Sequence, residues 1–393
     1  MNKILMAENS IITGNVSRVG GHQYSRLFSQ KGIDTFYLSP PVSLFHLFNF
    51  QNKKHTLNRF KVWAKGGIKI NNYLEEYVPF SFFPLKNLPL MKNQFFIDNT
   101  LNYTLPDIKN ILRKKGFLNV DILLISELYL YQLAEFVNYK LLIYRKTDDY
   151  QYFKGYPKSL LKKEKELINK ADIVFVTAKK IKKDLELSYN KKIHYLPNGV
   201  ESARFTSQNI SFPDEFKNIP KPRIIYIGTI SSWFDKDLIK FCAFQNPKLN
   251  FIVIGPSSIN MSDLKSYKNI YILGGIPYDE VPSYLINSDV GIIPFRIDNL
   301  SRSINPVKLY EYLAAGLPVV SSFFEDLKEL QDVIFMAQDK KEFSHFLAEA
   351  LRKKDKERYK KLAQENTWEK RFEKMLKIIN IVLNKKYANS ENH

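Results

Sequence analysis

Lys308 and Glu311 stand three residues apart in the run Asn305-Pro306-Val307-Lys308-Leu309-Tyr310-Glu311. Asn305 suits a helix N-cap. Pro306 suits the position after it, where its fixed φ helps and its missing N–H costs nothing. Ala314-Ala315 continue the helix and Gly316 ends it. A helix start presents unpaired N–H groups and the positive end of the dipole. A lysine in that first turn is disfavoured unless an anion sits there. The spacing puts Glu311 on the same face as Lys308. A carboxylate there can accept hydrogen bonds from a ribose diol while Lys308 and the helix end hold a diphosphate. The competing interpretation is an ordinary amphipathic helix with a Lys–Glu pair.

Other chemistry-bearing residues are sparser. His22 opens a helix beside Gly20 and Gly21, where it either reaches a ligand or packs in the core. Asp235-Lys236-Asp237 has the D-x-D spacing of a metal site, but it follows a strand and opens a helix, with Asp235 as N-cap. No His-rich or carboxylate cluster elsewhere suggests a metal, so neither metal nor other cofactor is expected. The one cysteine, Cys242, excludes a disulfide framework and a cysteine zinc site.

The elements that must position these residues follow an α/β rhythm. Residues 3–6 read as a buried strand, then a loop with Gly14, Gly20 and Gly21, a helix over 22–30 stopped by Gly32, and a strand over 33–38. That is the opening of a doubly wound domain. Residues 42–105 are aromatic-rich and dotted with prolines, and no clear period emerges. Strands return at 121–126, 140–144, 171–177 and 193–196. Residues 205–222, with Pro213, Pro220 and Pro222, read as a linker. Short strands then recur at 223–227, 251–254, 270–273, 290–293 and 319–320, most of them ended by Gly or Pro. Ligand-facing loops belong at such strand ends. Thr367 caps a last amphipathic helix reaching Lys386.

With 393 residues, two domains are expected. The 45% apolar and 25% charged composition excludes a disordered chain. The formal charge is +19, and residues 1–200 hold 31 Lys/Arg against 16 Asp/Glu. A basic half points to a polyanion or an anionic membrane surface, unless it reflects a lysine-rich genome. No run approaches a bilayer span, and residues 1–8 lack a secretory signal. A cytoplasmic protein is expected, with any membrane contact peripheral.

The run Asn305-Pro306-x-Lys308-x-Tyr310-Glu311-Tyr312-Leu313-Ala314-Ala315-Gly316-x-Pro318-Val319-Val320 resembles the nucleotide-sugar site of GT-B glycosyltransferases. It is similar to bacterial exopolysaccharide enzymes of the xanthan-pathway glucuronosyltransferase type and their family-4-like relatives. Residues 226–235, 254–256, 274–278 and 289–295 resemble the family's preceding strands and loops, so the likeness covers most of the chain. It implies two Rossmann-like domains facing across a cleft: 1–204 for the acceptor, 205–366 for the donor, and a helix and tail over 367–393 that could cross back. Carried over, Glu311 holds the ribose, Lys308 the diphosphate, and Arg302 is a second cation. Asn305 and Gly228 belong to the donor site. Gly274, Ile276 and Tyr278 frame the base, and Gly20 and Gly21 face the donor from the other domain.

One departure bears on mechanism. Retaining family-4 enzymes carry a second glutamate eight positions before the one matched by Glu311, and that position is Ser303. The expectation shifts to an inverting transferase, which needs a general base. Asp148 is the first candidate and Asp149 the second, just past a strand and beside Arg145 and Lys146, where two carboxylates can have separated pKa values. Alternatively the pair caps the next helix.

The expected function is transfer of a sugar from a nucleotide-sugar donor, UDP-linked by resemblance, to a glycan or lipid-linked acceptor in bacterial surface-polysaccharide (capsule or exopolysaccharide) synthesis. The apolar patches and lysines of 42–105, including Lys53, Lys54, Lys61, Lys65, Lys69, Lys86 and Lys92, are expected at a membrane surface. The rival readings are a sugar-nucleotide epimerase or hydrolase on the same fold, or a basic nucleic-acid binder. The last lacks any base-reading module, and no nucleic-acid partner is expected.

Overall fold

The computed structural model of the protein describes residues 1–14, 20–48, 53–83, 93–153, 156–206, 211–353 and 355–390. The chain folds into two compact units. One comprises Met1–Thr177, Ile181–Leu196 and Phe372–His393; the other comprises Ala178–Lys180 and Pro197–Arg371.

The strands of the first unit, in chain order, are β1 (Lys3–Ala7), β2 (Asp34–Leu38), β3 (Ile68–Asn71), β4 (Leu74–Tyr77), β5 (Phe80–Ser81), β6 (Thr104–Leu105), β7 (Asn119–Ile125), β8 (Asn138–Lys146), β9 (Ile173–Val176) and β10 (Ile193–Tyr195). Eight of them form one sheet in the order β10-β9-β8-β7-β1-β2-β4-β3, parallel except for β3 against β4. β5 and β6 pair separately and antiparallel. The central strands are buried on both faces, which is why Ile4-Leu5-Met6 and Leu141-Leu142-Ile143 are continuous apolar runs rather than alternating ones.

Inside the 42–105 stretch, where no period was evident, lie the helix Lys53–Ala64 and the pair β3–β4. β4 was obscured by its sequence, Leu-Glu-Glu-Tyr. Glu76 is nevertheless buried, because its carboxylate accepts the backbone N–H groups of Ile12 (2.6 Å) and Thr13 (3.1 Å).

The second unit adds β11 (Arg223–Ile227), β12 (Asn250–Ile254), β13 (Ile270–Gly274), β14 (Val290–Ile293), β15 (Val319–Ser322) and β16 (Phe335–Ala337). They form one all-parallel sheet, β13-β12-β11-β14-β15-β16. β16 lies beyond the strand taken as last in the sequence; at three residues, two half-buried and one buried, it has no run long enough to register. Its core is tightly fitted. A Cβ on Gly291 would lie 2.4 Å from the Tyr312 ring, and the Tyr312 hydroxyl oxygen accepts the Ile227 N–H at 3.0 Å.

The units part at Leu196/Pro197, earlier than the 204/205 boundary expected. Val200 explains this: its N–H donates to the Asn366 carbonyl, and Phe205 packs in the second core. The helix Trp368–Ser390 belongs to the first unit from Phe372, whose ring meets Phe28 edge-on at 4.8 Å.

In each sheet the chain runs outward both ways from one central pair, β1/β7 in the first unit and β11/β14 in the second. The loops leaving such a pair diverge and open a crevice at the carboxyl ends of the strands, where ligands of open α/β sheets bind.

Candidate functional site

The β11/β14 crevice holds Lys308. The helix Val307–Ala314 starts there and places Lys308 in its first turn. The ammonium lies 5.3 Å from the centre of the Tyr226 ring, on β11, and 4.9 Å from that of Phe295, just past β14. Burial lowers its pKa to about 8, against the opposing pull of Glu311. Among the described residues it makes no ion pair. Two aromatic faces hold a desolvated cation at a helix start, which leaves its charge available to an anion.

Glu311, one turn on, is buried, and burial raises its pKa. Its Oε1 accepts the Tyr278 hydroxyl at 2.7 Å. Arg204 braces that tyrosine. Its guanidinium lies 4.5 Å from the ring centre, and Nη2 donates to Asp279 Oδ1 (2.6 Å) and to the Tyr278 carbonyl (3.3 Å). Lys308, Glu311 and Tyr278, all expected at the donor site, are thus brought together.

The glycines here have steric reasons. A Cβ on Gly228 (φ +151°) would sit 2.8 Å from Lys308 Cε, and one on Gly255 would sit 2.0 Å from the Gly228 carbonyl oxygen. Gly274 has φ +74° with open space around it, and Ile276 is half-buried against the core. Asn305 is not the N-cap. Pro306 holds that position without a side-chain cap, because the buried Asn305 amide is engaged elsewhere: its Oδ1 accepts the Asn198 N–H at 3.1 Å. Arg302 lies in the turn Ser301–Ser303, with its side chain outside the described residues. Ser303 is fully buried and its hydroxyl donates to the Leu300 carbonyl at 2.7 Å.

In the first unit, β8 runs to Lys146, past the expected strand end, and delivers the Asp pair from its carboxyl end. The two carboxylates differ. Asp149 is buried, lies 3.6 Å from the Lys146 ammonium and accepts from Gln151 at 2.7 Å. Asp148 is partly exposed and accepts from the Thr147 hydroxyl at 2.9 Å, and burial raises its pKa. Lys146 is committed more closely to Glu164, at 2.6 Å.

His22 is buried, with Nε2 3.0 Å from the Ser10 hydroxyl, in the loop after β1. A Cβ on Gly20 (φ +42°) would meet Arg145 at 2.8 Å, and one on Gly21 would meet the Glu8 carboxyl at 2.4 Å. Both glycines thus have packing reasons within their own unit. Asp235 caps its helix, accepting the N–H groups of Asp237 and Leu238 at 3.0 Å each.

Sequence reasoning missed Arg204, Glu8 and Glu127. Glu127 follows the end of β7 much as Asp148 follows that of β8. Strand-end position was therefore a signal available for it; Arg204 had none.

Residues 221–353 match the family described as glycosyl transferases group 1. The matched stretch lies in the second unit and includes Lys308 and Glu311. Over 177 residues the chain is 30% identical to a putative teichuronic acid biosynthesis glycosyltransferase, TuaH, of Bacillus subtilis; the match covers 43% of this chain and 44% of TuaH, under half the length of that curated relative. The fold is GT-B, as in three solved structures. They are sucrose-phosphate synthase of Thermosynechococcus elongatus (TM-score 0.67, 16% identity, 98% of this chain and 100% of that one), Anabaena HepE in complex with UDP and glucose (0.65, 12%, 97% and 100%), and the E. coli trehalose-6-phosphate protein bound with UDP-2-fluoro glucose (0.64, 14%, 97% and 99%). At these identities the likeness is one of fold.

Proposed function

We propose that the protein is a glycosyltransferase that moves a sugar from a UDP-linked donor to a glycan or lipid-linked saccharide in the synthesis of a bacterial surface polysaccharide. The observation that carries this reading is Lys308, a cation desolvated between Tyr226 and Phe295 at a helix start, one turn from the buried Glu311. The group 1 match, the likeness to TuaH and the UDP complexes among structures of the same fold support it.

Lys308 and the N–H groups of the helix start take the diphosphate, and Glu311 takes the ribose hydroxyls. Charge develops on the diphosphate as the sugar leaves, so a pre-placed cation stabilises the transition state more than the ground state. The acceptor hydroxyl attacks the sugar's anomeric carbon. A new C–O bond forms while the bond to the β-phosphate oxygen breaks, with its electron pair leaving on UDP. Asp148 takes the hydroxyl proton. Attack opposite the leaving group inverts the anomeric carbon. Ser303 supports this route, since its fully buried position holds no carboxylate to serve a retaining one. His22 acts by positioning the Ser10 loop.

The same reading puts the protein at the inner face of the membrane. Leu44, Phe45, Leu57, Phe82 and Phe95 are exposed in the first unit, with Lys53 and Lys54 exposed beside them in the chain. Lys86 and Lys92 lie outside the described residues. Among the described residues no helix is long and apolar enough to cross a membrane. The expected behaviour is cosedimentation with phosphatidylglycerol vesicles at low salt and none with phosphatidylcholine.

Calorimetric titration with UDP, GDP and a random DNA duplex, on wild type and Glu311→Ala, tests the donor assignment. Binding of UDP that is lost in the variant supports it. Tight DNA binding without nucleotide binding overturns it.

A further inference from the structure

The second unit holds a cavity that the donor assignment leaves unused. Its volume is about 310 Å³, at the small end of the ~300–1,000 Å³ span of small-molecule sites. It lies at the carboxyl ends of β14, β15 and β16, beside the starts of the helices Lys236–Gln245 and Lys340–Arg352. Phe295 and Phe343 are buried and give it apolar surface, and the exposed Ile297 lines it beyond β14. Asp235 and Asp339, the N-caps of the two helices, line it as well. Each uses Oδ1 for its cap. That of Asp339 accepts the N–H groups of Glu342 at 2.9 Å and Lys341 at 2.7 Å, and these bonds lower its pKa. Neither Oδ2 accepts a hydrogen bond among the described residues.

Ser322 ends β15 and is 4% exposed. It lines the cavity, and its hydroxyl makes no hydrogen bond among the described residues. A buried hydroxyl ordinarily has a partner, and a ligand in the cavity can supply it. That ligand is not an anion. Helix starts ordinarily draw anions through free N–H groups. Here the two aspartates occupy those groups and present carboxylate oxygens instead. Lys340, on the same lining, holds its ammonium 4.9 Å from the centre of the Phe241 ring. The cavity therefore offers acceptors, a hydroxyl and aromatic surface. A ligand that fits brings its own donors and an apolar face. A pyranose has both, with C–H groups on its faces and hydroxyls around its edge.

We propose that this cavity is a second saccharide site, taking one uncharged pyranose unit of a glycan. One sugar face packs on Phe295 and Phe343, two hydroxyls donate to Asp235 and Asp339, and a third oxygen accepts from Ser322. The choice of a glycan rests on the transferase reading above; the site itself includes neither Lys308 nor Glu311. Phe295 is common to both sites, since its ring also lies 4.9 Å from the Lys308 ammonium. An ammonium ion is the rival ligand, drawn by the carboxylates alone. The competing role of the aspartates is helix capping. Asp339→Asn separates the two, because asparagine caps as well as aspartate, while its amide nitrogen takes the place of the open Oδ2 acceptor.

The test is methyl NMR on the full chain, reading the labelled methyl groups of Ile297 and Ala337, both on the cavity lining. Methyl β-glucopyranoside, methyl β-galactopyranoside and methyl N-acetyl-β-glucosaminide are titrated alone, with saturating UDP and with saturating UDP-glucose. At least one glycoside should shift both methyl signals, and the shifts should persist with either nucleotide. Its affinity should fall about tenfold in Asp339→Asn, the size of a lost hydrogen bond to a charged group, and less in Ser322→Ala. UDP affinity and melting temperature should change little in Asp339→Asn. No shift with any glycoside, affinity untouched by Asp339→Asn, or shifts with ethylammonium alone overturn the proposal. Shifts abolished by UDP-glucose but not by UDP also overturn it, by giving the cavity to the donor's own sugar. Failure to bind UDP while a glycoside still shifts these methyls overturns the donor assignment and leaves the second site standing.

Discussion

The Tyr278 hydroxyl donates to Glu311 Oε1 at 2.7 Å, and through this bond a residue of the loop after β13 fixes the carboxylate assigned to the ribose. Glu311 keeps its other oxygen for a ligand, so one hydrogen bond aims the second. Glu311→Gln should weaken UDP binding by about 10–100-fold, the range for a lost hydrogen bond to a charged group. Tyr278→Phe should cost less, because the carboxylate stays and only its aim is lost. The decisive comparison is UDP against 2′-deoxy-UDP. Wild type should prefer UDP, and Glu311→Ala, which keeps no acceptor there, should bind the two equally. A preference that survives in Glu311→Ala rejects the ribose role.

Lys308 has its own signature in pH. Its pKa in the free protein is lowered to about 8, below that of an ordinary lysine. Binding a diphosphate needs the protonated form. UDP affinity should therefore hold below pH 8 and fall as pH rises through it, because each step upward removes the proton that binding must restore. Lys308→Gln should bind weakly and show no such fall. Titrations from pH 7 to 9.5 check this, and a wild-type profile that is flat above pH 8 contradicts it.

Lys308 and Glu311 were legible because a helix start, its first-turn cation and the next-turn carboxylate all fall within seven residues of chain. Local chemistry of that kind survives without knowledge of the fold. Gly228 could be suspected, but its reason could not, since the Cβ clash is with a side chain eighty residues on. Tyr226 and Phe295 were invisible as a cation's walls for the same reason: β11 and β14 are neighbours only in the sheet. β4 was lost because a buried glutamate satisfied by distant backbone N–H groups mimics a solvated one. Asn305 was misassigned as a cap because its partner, Asn198, lies over a hundred residues away.

Asp148 and Asp149 should separate cleanly on mutation. Asp148→Asn should reduce transfer at least about 10²-fold, the lower range for losing a general base, and leave UDP affinity unchanged. The product of the wild type should carry the inverted anomeric configuration by NMR. Asp149→Asn removes a buried partner of Lys146, and its first effect should be a lowered melting temperature. Near wild-type turnover in Asp148→Asn, or a retained configuration, would rule out Asp148 as the base.

The glycine pair at β11 and β12 offers a graded steric test. In Gly228→Ala the new methyl meets Lys308 Cε at 2.8 Å, and the long lysine chain can yield. Alanine also has to adopt φ +151°. The variant should fold with a modest loss of melting temperature and a loss of UDP affinity close to that of Lys308→Gln. In Gly255→Ala the methyl meets backbone, the Gly228 carbonyl oxygen at 2.0 Å, which cannot rotate away. That variant should fail to fold its second unit. Circular dichroism melts and UDP titration on both check the ordering, and the reverse ordering refutes the steric assignment.

Glu8 predicts how stability moves with pH. It lies at the end of β1, accepts the Ser126 hydroxyl at 2.8 Å and is buried, and burial raises its pKa from about 4.5 to about 7 even with Arg145 pulling the other way. The folded state therefore holds a proton that the unfolded chain has released between those two values. The native state binds more protons in that window, so stability falls as pH rises through it and levels off above pH 7. Glu8→Gln cannot titrate and lacks this fall. Other groups titrate in the same range, Glu127 among them, but they are common to both proteins and cancel in the difference. Denaturant melts of wild type and Glu8→Gln at pH 5 and pH 8 should show the wild type losing more stability than the variant between the two. Equal losses would mean that Glu8 is already ionised in the folded protein at pH 5, held so by Arg145.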